Sequence, residues 1–257
     1  STTSISAIEY APDGRLFVGV QNGGLRVWAP NNLGVYGWTS ILSSTTGLPS
    51  NSITDLALFG GDLWVATNLG VGIYDLFAGT WTRYTVANSP LPSNDIHRLT
   101  PIAVASGVDH IWLSTAAGGV KITLTHPWTW QVIDTADGLP NSDIYDIAEF
   151  TTLVTTYVYF SNGLEITRWD QASSFTTFSP ANTSCGGGLR RATRMLTTSQ
   201  YDLWFLQEES VPGISPDMPE YWVAAGVCRM YSIGLFSYAV DYYSTLSPGL
   251  PSNQATD

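Results

Sequence analysis

Few side chains in this sequence have the type and spacing that covalent chemistry needs. His97, His110 and His126 lie apart, without metal-ligand spacing. Asp143, Asp146 and Glu149 resemble a carboxylate cluster, but alternation along a strand points Asp143 and Asp146 to opposite faces, so they make no calcium cage. No nucleophile elbow, paired-cysteine zinc motif or phosphate-binding glycine loop occurs. The sequence therefore predicts no catalytic residue, no metal and no cofactor. Binding chemistry is better represented. Arg190 and Arg191, with Arg194, form the one dense positive patch, suited to an anionic glycan or to partner carboxylates, against ordinary surface or intramolecular pairing. Met218, Tyr221 and Trp222, in a proline-rich stretch from Glu208 to Gly226, are residue types that anchor interfaces. Cys185 and Cys228 are an even pair. In an oxidising compartment they read as one disulfide closing a loop of about forty residues, worth roughly 3 to 4 kcal/mol in the chain-entropy model. The alternative is two buried free thiols. Asn182-Thr183-Ser184 is a lone glycosylation sequon and carries little weight.

Composition excludes several classes. The 257 residues are 44% hydrophobic and 12% charged, which rules out disorder. Ten Lys and Arg against 21 Asp and Glu give a formal charge of −11, the wrong sign for gripping phosphate backbones or anionic lipid, so no nucleic acid partner is expected. No apolar run is long enough to span a bilayer, and no basic region followed by an apolar core opens the chain. The start at Ser1 reads as a mature or trimmed product. Lys121 is the single lysine, while Ser, Thr, Tyr, Trp and Gly abound, a composition more usual for exported proteins. An extracytoplasmic location is the expectation.

A repeat organises the rest. Gly47-Leu48-Pro49-Ser50-Asn51-Ser52-Ile53 recurs as Leu91-Pro92-Ser93-Asn94-Asp95-Ile96, as Gly138-Leu139-Pro140-Asn141-Ser142-Asp143-Ile144 and as Gly249-Leu250-Pro251-Ser252-Asn253. Aromatic-anchored strands accompany it, and their anchors Phe17, Trp64, Trp112, Tyr159 and Trp204 are 47, 48, 47 and 45 residues apart. Each unit reads as four short strands between Gly, Pro and Asn turns: an alternating strand such as 53–58, the aromatic strand, a third after a Gly-rich turn, and a fourth opening on Trp38, Trp81, Trp130, Phe175 or Tyr238. No stretch has sustained helical periodicity. Four strands per unit of this length predict an all-β propeller of about five four-stranded blades, approximately 4–49, 50–92, 93–140, 141–183 and 184–251, with 252–257 opening a further strand or closing the ring. Trp64, Trp112 and Trp204 are expected between blades. The ends fall at the same point of the repeat. They fit a closed five-bladed ring or part of a six- or seven-bladed ring in a longer chain.

The pattern resembles the two-component regulator propeller repeat, whose units run Gly-Leu-Pro-Ser-Asn, an Ile-x-x-Ile strand, Gly-x-Leu-Trp-Val-x-Thr and a final aromatic strand. Residues 47–93 match almost throughout and the first and third units match well. The fourth and fifth are degenerate, with Tyr159 for the Trp and Ser184-Cys185-Gly186-Gly187-Gly188 for Leu-Pro-Ser-Asn. The resemblance implies an extracytoplasmic sensor region, often for carbohydrate-derived ligands, or a module of a secreted or surface protein.

In a propeller the first strand of each blade conventionally lines the central channel. Two residues beyond its first apolar position stand Ala7, Asp55, Arg98, Asp146 and Arg194. Acid and base alternate there, predicting a girdle of salt bridges. The alternative is a register error in the fifth unit that leaves Arg194 facing solvent. The insertion at 208–226 is expected to be a long loop, either a flap on its own blade or a contact for a partner or ligand. The leading functional expectation is a non-enzymatic propeller making protein or glycan contacts, as a module or subunit of a surface or multi-subunit assembly. The competing ones are a ligand-sensing input domain and a polysaccharide lyase or hydrolase using carboxylates such as Asp55 or Asp146.

Overall fold

The structure is a computed structural model that describes residues 4–44, 46–104, 108–151, 156–172, 174–178, 190–197, 202–211, 221–232 and 238–243. The described chain forms five four-stranded antiparallel sheets, each with its strands adjacent in chain order. The first compact unit, 1–134, holds three of them. Sheet 1 is β1 (Ile5–Tyr10), β2 (Leu16–Val20), β3 (Gly24–Pro30) and β4 (Tyr36–Ile41); sheet 2 is β5 (Ile53–Phe59), β6 (Asp62–Thr67), β7 (Gly70–Asp75) and β8 (Trp81–Tyr84). Sheet 3 is β9 (Ile96–Ile102), β10 (His110–Thr115), β11 (Gly118–Thr123) and β12 (Thr129–Ile133). The second unit, 135–257, holds sheet 4, β13 (Asp146–Thr151), β14 (Thr156–Ser161), β15 (Ile166–Trp169) and β16 (Phe175–Phe178). It also holds sheet 5, β17 (Arg190–Thr197), β18 (Asp202–Val211), β19 (Tyr221–Ser232) and β20 (Tyr238–Tyr243).

The aromatic anchors explain the sandwiching. Strand β6 is buried along nearly its whole length, because both faces of sheet 2 meet apolar neighbours and an alternating pattern would leave polar groups inside; β10 is buried throughout. Phe17, Leu25 and Val27 of sheet 1 pack with Leu56, Leu63 and Val65 of sheet 2. The other face of sheet 2, with Trp64 and Ile73, packs on Leu99, Ile111 and Ile122 of sheet 3. In the second unit Ala148, Tyr159 and Ile166 meet Leu203, Phe205 and Cys228. Trp64 and Trp112 are fully buried, as expected. Trp204 is only partly buried, and the Arg229 guanidinium lies 5.6 Å from its ring centre.

The recurring connector turns out to be a latch. Leu48, Leu91 and Leu139 are buried, and a Cβ on Gly47 would stand 2.4 Å from that of Trp81, so only glycine lets the connector pass under that ring. Gly138 passes Phe175 in the same way, at 3.0 Å. The Asn51 carbonyl accepts the Gly24 N–H at 2.9 Å and that of Asn94 accepts the Gly70 N–H at 2.7 Å, tying each connector to the turn of the preceding sheet. Asn side chains tie it to the last strand: Asn51 Oδ1 accepts the Ser43 N–H at 2.8 Å and Asn94 Oδ1 accepts the Val86 N–H at 2.9 Å. The motif is therefore spent on the fold, which is why its repetition says little about a ligand.

The structure corrects some local expectations. The insertion at 208–226 is strand at both ends: β18 and β19 extend through Glu208–Val211 and Tyr221–Gly226, paired down to Val211 opposite Tyr221, while 212–220 lie outside the described residues. Asp143 is not on an alternating strand, since β13 begins at Asp146 and Asp143 sits in the connector, its N–H bonded to Asn141 Oδ1 at 2.9 Å. Trp38 and Trp130 do not open their strands, which start at Tyr36 and Thr129. At Asp143 and before Tyr36 the turn closes with its own hydrogen bonds, among them the Asn31 N–H to the Val35 carbonyl at 2.9 Å, and the ladder begins where those bonds leave the backbone free to pair.

Tyr159 stands where the other anchors are Trp or Phe, and burial of its hydroxyl pushes its pKa up to about 12. The fold therefore favours the protonated phenol more than the unfolded chain does, and stability falls as pH rises from the ordinary tyrosine value toward the folded one. About 2 to 3 kcal/mol is expected to be lost across that window. Tyr159→Phe should flatten this part of the profile, read by urea unfolding at alkaline pH. An unchanged slope in the variant would assign the alkaline loss elsewhere.

Candidate functional site on the first strands

The charged row predicted for the first strands is built on a backbone irregularity. In β1, β5, β9 and β17 the register slips by one residue at Ser6, Thr54, His97 and Thr193, just before Ala7, Asp55, Arg98 and Arg194. A bulge re-aims the residues beside it. In β5 it sends two consecutive side chains to the neighbouring first strand. Thr54 Oγ1 donates to the Ile96 carbonyl at 2.6 Å, and Asp55 Oδ2 accepts the Leu99 N–H at 2.9 Å. Asp55 Oδ1 lies 3.6 Å from an Arg98 guanidinium nitrogen. The second unit repeats the device: buried Asp146 accepts the Ile147 N–H at 2.9 Å through Oδ1 and the Met195 N–H at 2.7 Å through Oδ2. Met195 directly follows the half-buried Arg194, as Leu99 follows Arg98. Thr197 Oγ1 adds a bond to the Glu149 carbonyl at 2.8 Å.

Each Asp is thus an inter-sheet clip whose oxygens receive backbone N–H groups, with an Arg one residue before the donor. The girdle expectation anticipated charge pairing; in the first unit the structure adds main-chain bonds to it, and in the second it places Asp146 against the strand bearing Arg194. Burial pushes the Asp55 carboxyl up from the ordinary aspartate range, while the Arg98 charge and the Leu99 and Leu56 N–H groups pull it back. Sequence reasoning missed Glu9. Half-buried on β1, it is pushed up first by burial and then by the charge of Asp55. The available signal was position: Glu9 is opposite Phe17, where the other sheets place Ala57, Thr100 and Ala148 opposite their anchors. A carboxylate whose oxygens are already bonded has little capacity left to act as a general base.

The other candidates are scattered. Arg190 and Arg191 open β17 and are in register with Glu209 and Glu208 of β18, so the basic pair falls opposite an acidic pair; their side chains lie outside the described residues. Tyr221 and Trp222 open β19 opposite Val211 and Ser210, and their side chains too lie outside the described residues, as does Met218 altogether. Cys228 is fully buried on β19 and is not a free thiol, while Cys185 and the sequon at Asn182 lie outside the described residues. His97 Nε2 is 3.8 Å from Asp95 Oδ2, and buried His110 begins β10. Among the described residues no three His, Cys, Asp or Glu side chains are grouped to hold a metal, and no helix is long and apolar enough to cross a membrane.

No family model and no curated protein matches the chain. Solved structures do. The extracellular domain of BT4673 from B. thetaiotaomicron, described as a hybrid two component system, is similar with a TM-score of 0.60 at 17% identity, over 99% of this chain and 35% of that one. An ancestral GH74 enzyme is similar with a TM-score of 0.57 at 11% identity, over 97% of this chain and 32% of that one. A catalytically inactive virginiamycin B lyase from Staphylococcus aureus with Quinupristin follows at 0.52 and 12%, over 94% of this chain and 84% of that one. This chain spans about a third of the length of the first two. At such identities the likeness concerns architecture, and with the five sheets described above it makes this chain an all-β, multi-bladed β-propeller.

Proposed function

We propose that this chain is a non-enzymatic extracytoplasmic binding module, making protein or glycan contacts as part of a larger assembly. The observation that carries the reading is that Asp55 and Asp146, the carboxylates best placed for channel chemistry, bond to backbone N–H groups of a neighbouring sheet. Their chemistry is spent on holding sheets together. A contact element is then supplied by the β18–β19 hairpin, whose strands of 10 and 12 residues outlast the strands of sheets 1 to 4 and begin β19 with Tyr221 and Trp222. Prolonged incubation of the chain with plant and bacterial polysaccharides should leave their chromatograms unchanged; new oligosaccharide products would overturn the non-enzymatic reading.

The likeness to an extracellular domain of a two component system supports a second reading, a sensing domain for carbohydrate-derived signals. Calorimetric titration with neutral and acidic oligosaccharides separates the two. Saturable heat with one class favours sensing, and no heat with any class favours protein contacts. The extracytoplasmic placement also rests on the cysteines. With Cys228 not a free thiol, a Cys185–Cys228 bridge is proposed. Under denaturing conditions alkylation should add no mass without reductant and two adducts with it. Two adducts without reductant would remove the bridge and this support for an oxidising compartment.

A further inference from the structure

Within the first unit, sheet 1 packs on one face only. Phe17, Leu25 and Val27 are buried against sheet 2, but the opposite face carries Ile8 at 58% exposure, Tyr10 at 67% and Trp38 at 55%. Trp28 lies between, its ring 5.3 Å from Trp38 and 6.1 Å from Tyr36. The registers identify this face. Ile8 is opposite Val18, Leu16 opposite Trp28, and Trp28 opposite Trp38. In sheet 2 the same ladder positions are Leu56 opposite Val65, Leu63 opposite Tyr74, and Tyr74 opposite Trp81, whose rings are 5.0 Å apart. On sheet 2 these residues receive the face of sheet 1. On sheet 3 the corresponding Leu99, Ile111, Ile122 and Trp130 receive sheet 2. Sheet 1 therefore exposes a receiving face of the kind that is filled by a four-stranded sheet in both instances within this unit.

We propose that this face binds a second copy of the chain, one of whose sheets takes the place that sheet 1 takes on sheet 2. Continuity with the two interfaces inside the unit decides the chemistry of the occupant, and each copy carries sheets of the same repeat. Ile8 and the partly exposed Leu16, beside the buried Val18, set aliphatic surface between the rings, which suits a β-sheet better than a sugar, whose hydroxyls would lose water against it. Arg26, opposite Ser40 and bonded to it, is the one charged residue at the positions Ile8, Tyr10, Leu16, Val18, Arg26, Trp28, Tyr36, Trp38 and Ser40. With 21 acidic residues elsewhere in each copy, the face thus meets its partner without setting carboxylate against carboxylate.

Light scattering of the full chain over a wide concentration range tests this. The particle should rise from 27.8 kDa to at least twice that mass with concentration. Ile8→Glu and Trp38→Glu should raise the concentration needed by at least about tenfold, while Phe77→Glu, at the fully exposed residue just after β7, should not. Radical footprinting of the unmodified chain gives a readout independent of the variants' folding: Tyr10, Tyr36 and Trp38 should become protected as the mass rises. A monomer at every concentration would overturn the proposal. So would association that neither variant weakens, or protection of these rings in a monomer by xylo- or cello-oligosaccharides, which would assign the face to glycan.

Discussion

Asp55→Ala is expected to cost about 2 to 4 kcal/mol, because it leaves the Leu99 N–H without its acceptor and removes the carboxylate 3.6 Å from the half-buried Arg98 guanidinium. The loss should appear as a lower urea midpoint with an unchanged slope. Asp55→Asn keeps an acceptor for Leu99 and removes a carboxylate that burial disfavours, so it should cost only about 1 to 2 kcal/mol. The two variants also differ from the native chain in pH dependence, with a definite sign. Because burial raises the folded pKa of Asp55, its contribution is fully present below the unfolded value and declines as pH rises through the folded one. Native and Asp55→Asn chains should therefore lie further apart in stability in acid than at neutral pH. A gap that widens toward neutrality would mean that Arg98 and the N–H donors outweigh desolvation at this site. Asp146→Ala makes the parallel test in the second unit, through Met195.

Gly70→Ala is expected to be similarly severe, about 3 to 4 kcal/mol, for a different reason. Gly70 ends the β6–β7 turn at φ +122°, a conformation that L side chains rarely adopt, and an added Cβ would stand 2.4 Å from the Tyr84 carbonyl oxygen. Backbone cannot rotate away as a side chain can. The same turn is held by Thr67, whose hydroxyl donates to the Gly70 carbonyl at 2.7 Å and accepts the Leu69 N–H at 3.1 Å, so displacement would also break these bonds. Gly79 provides the control. Its φ is +69°, but a Cβ there meets nothing nearer than the Tyr74 hydroxyl at 3.6 Å, and Gly79→Ala should cost about 1 kcal/mol. Equal thermal shifts for the two variants would show that φ alone, rather than the carbonyl contact, sets the penalty.

Much of this was legible in the sequence. The spacing of Phe17, Trp64, Trp112, Tyr159 and Trp204 set the period, and the alternation around them set the four strands per unit, because both are local consequences of a two-residue pleat. The positions Asp55, Arg98, Asp146 and Arg194 were picked out by counting from the first apolar residue of each unit. What they do was not legible. Counting assumes an unbroken alternation, whereas the register slips at Ser6, Thr54, His97 and Thr193, and at Thr54 the slip lets Thr54 and Asp55 both reach the neighbouring first strand; a one-residue slip is invisible to composition. The hairpin of β18 and β19 was hidden for a related reason. Its prolines signal a break, but the residues on both sides of them pair, from Val211 opposite Tyr221 outward.

Ile8 and Leu56 make the division plain. They occupy the same repeat position, are both large and aliphatic, and by sequence alone are equally suited to a core. Leu56 is buried and Ile8 is exposed, because burial belongs to the pair of sheets and not to the residue, and within the first unit only Leu56 has a sheet against it. The sequence by itself determined the repeat, the strand class and the apolar faces, since these follow from local periodicity. Tertiary structure alone decided which faces were filled, which carboxylates reached a neighbouring backbone and which turns lay against a carbonyl, since each depends on groups that local periodicity does not relate, from Gly70 and Tyr84 within one sheet to Asp55 and Leu99 on two.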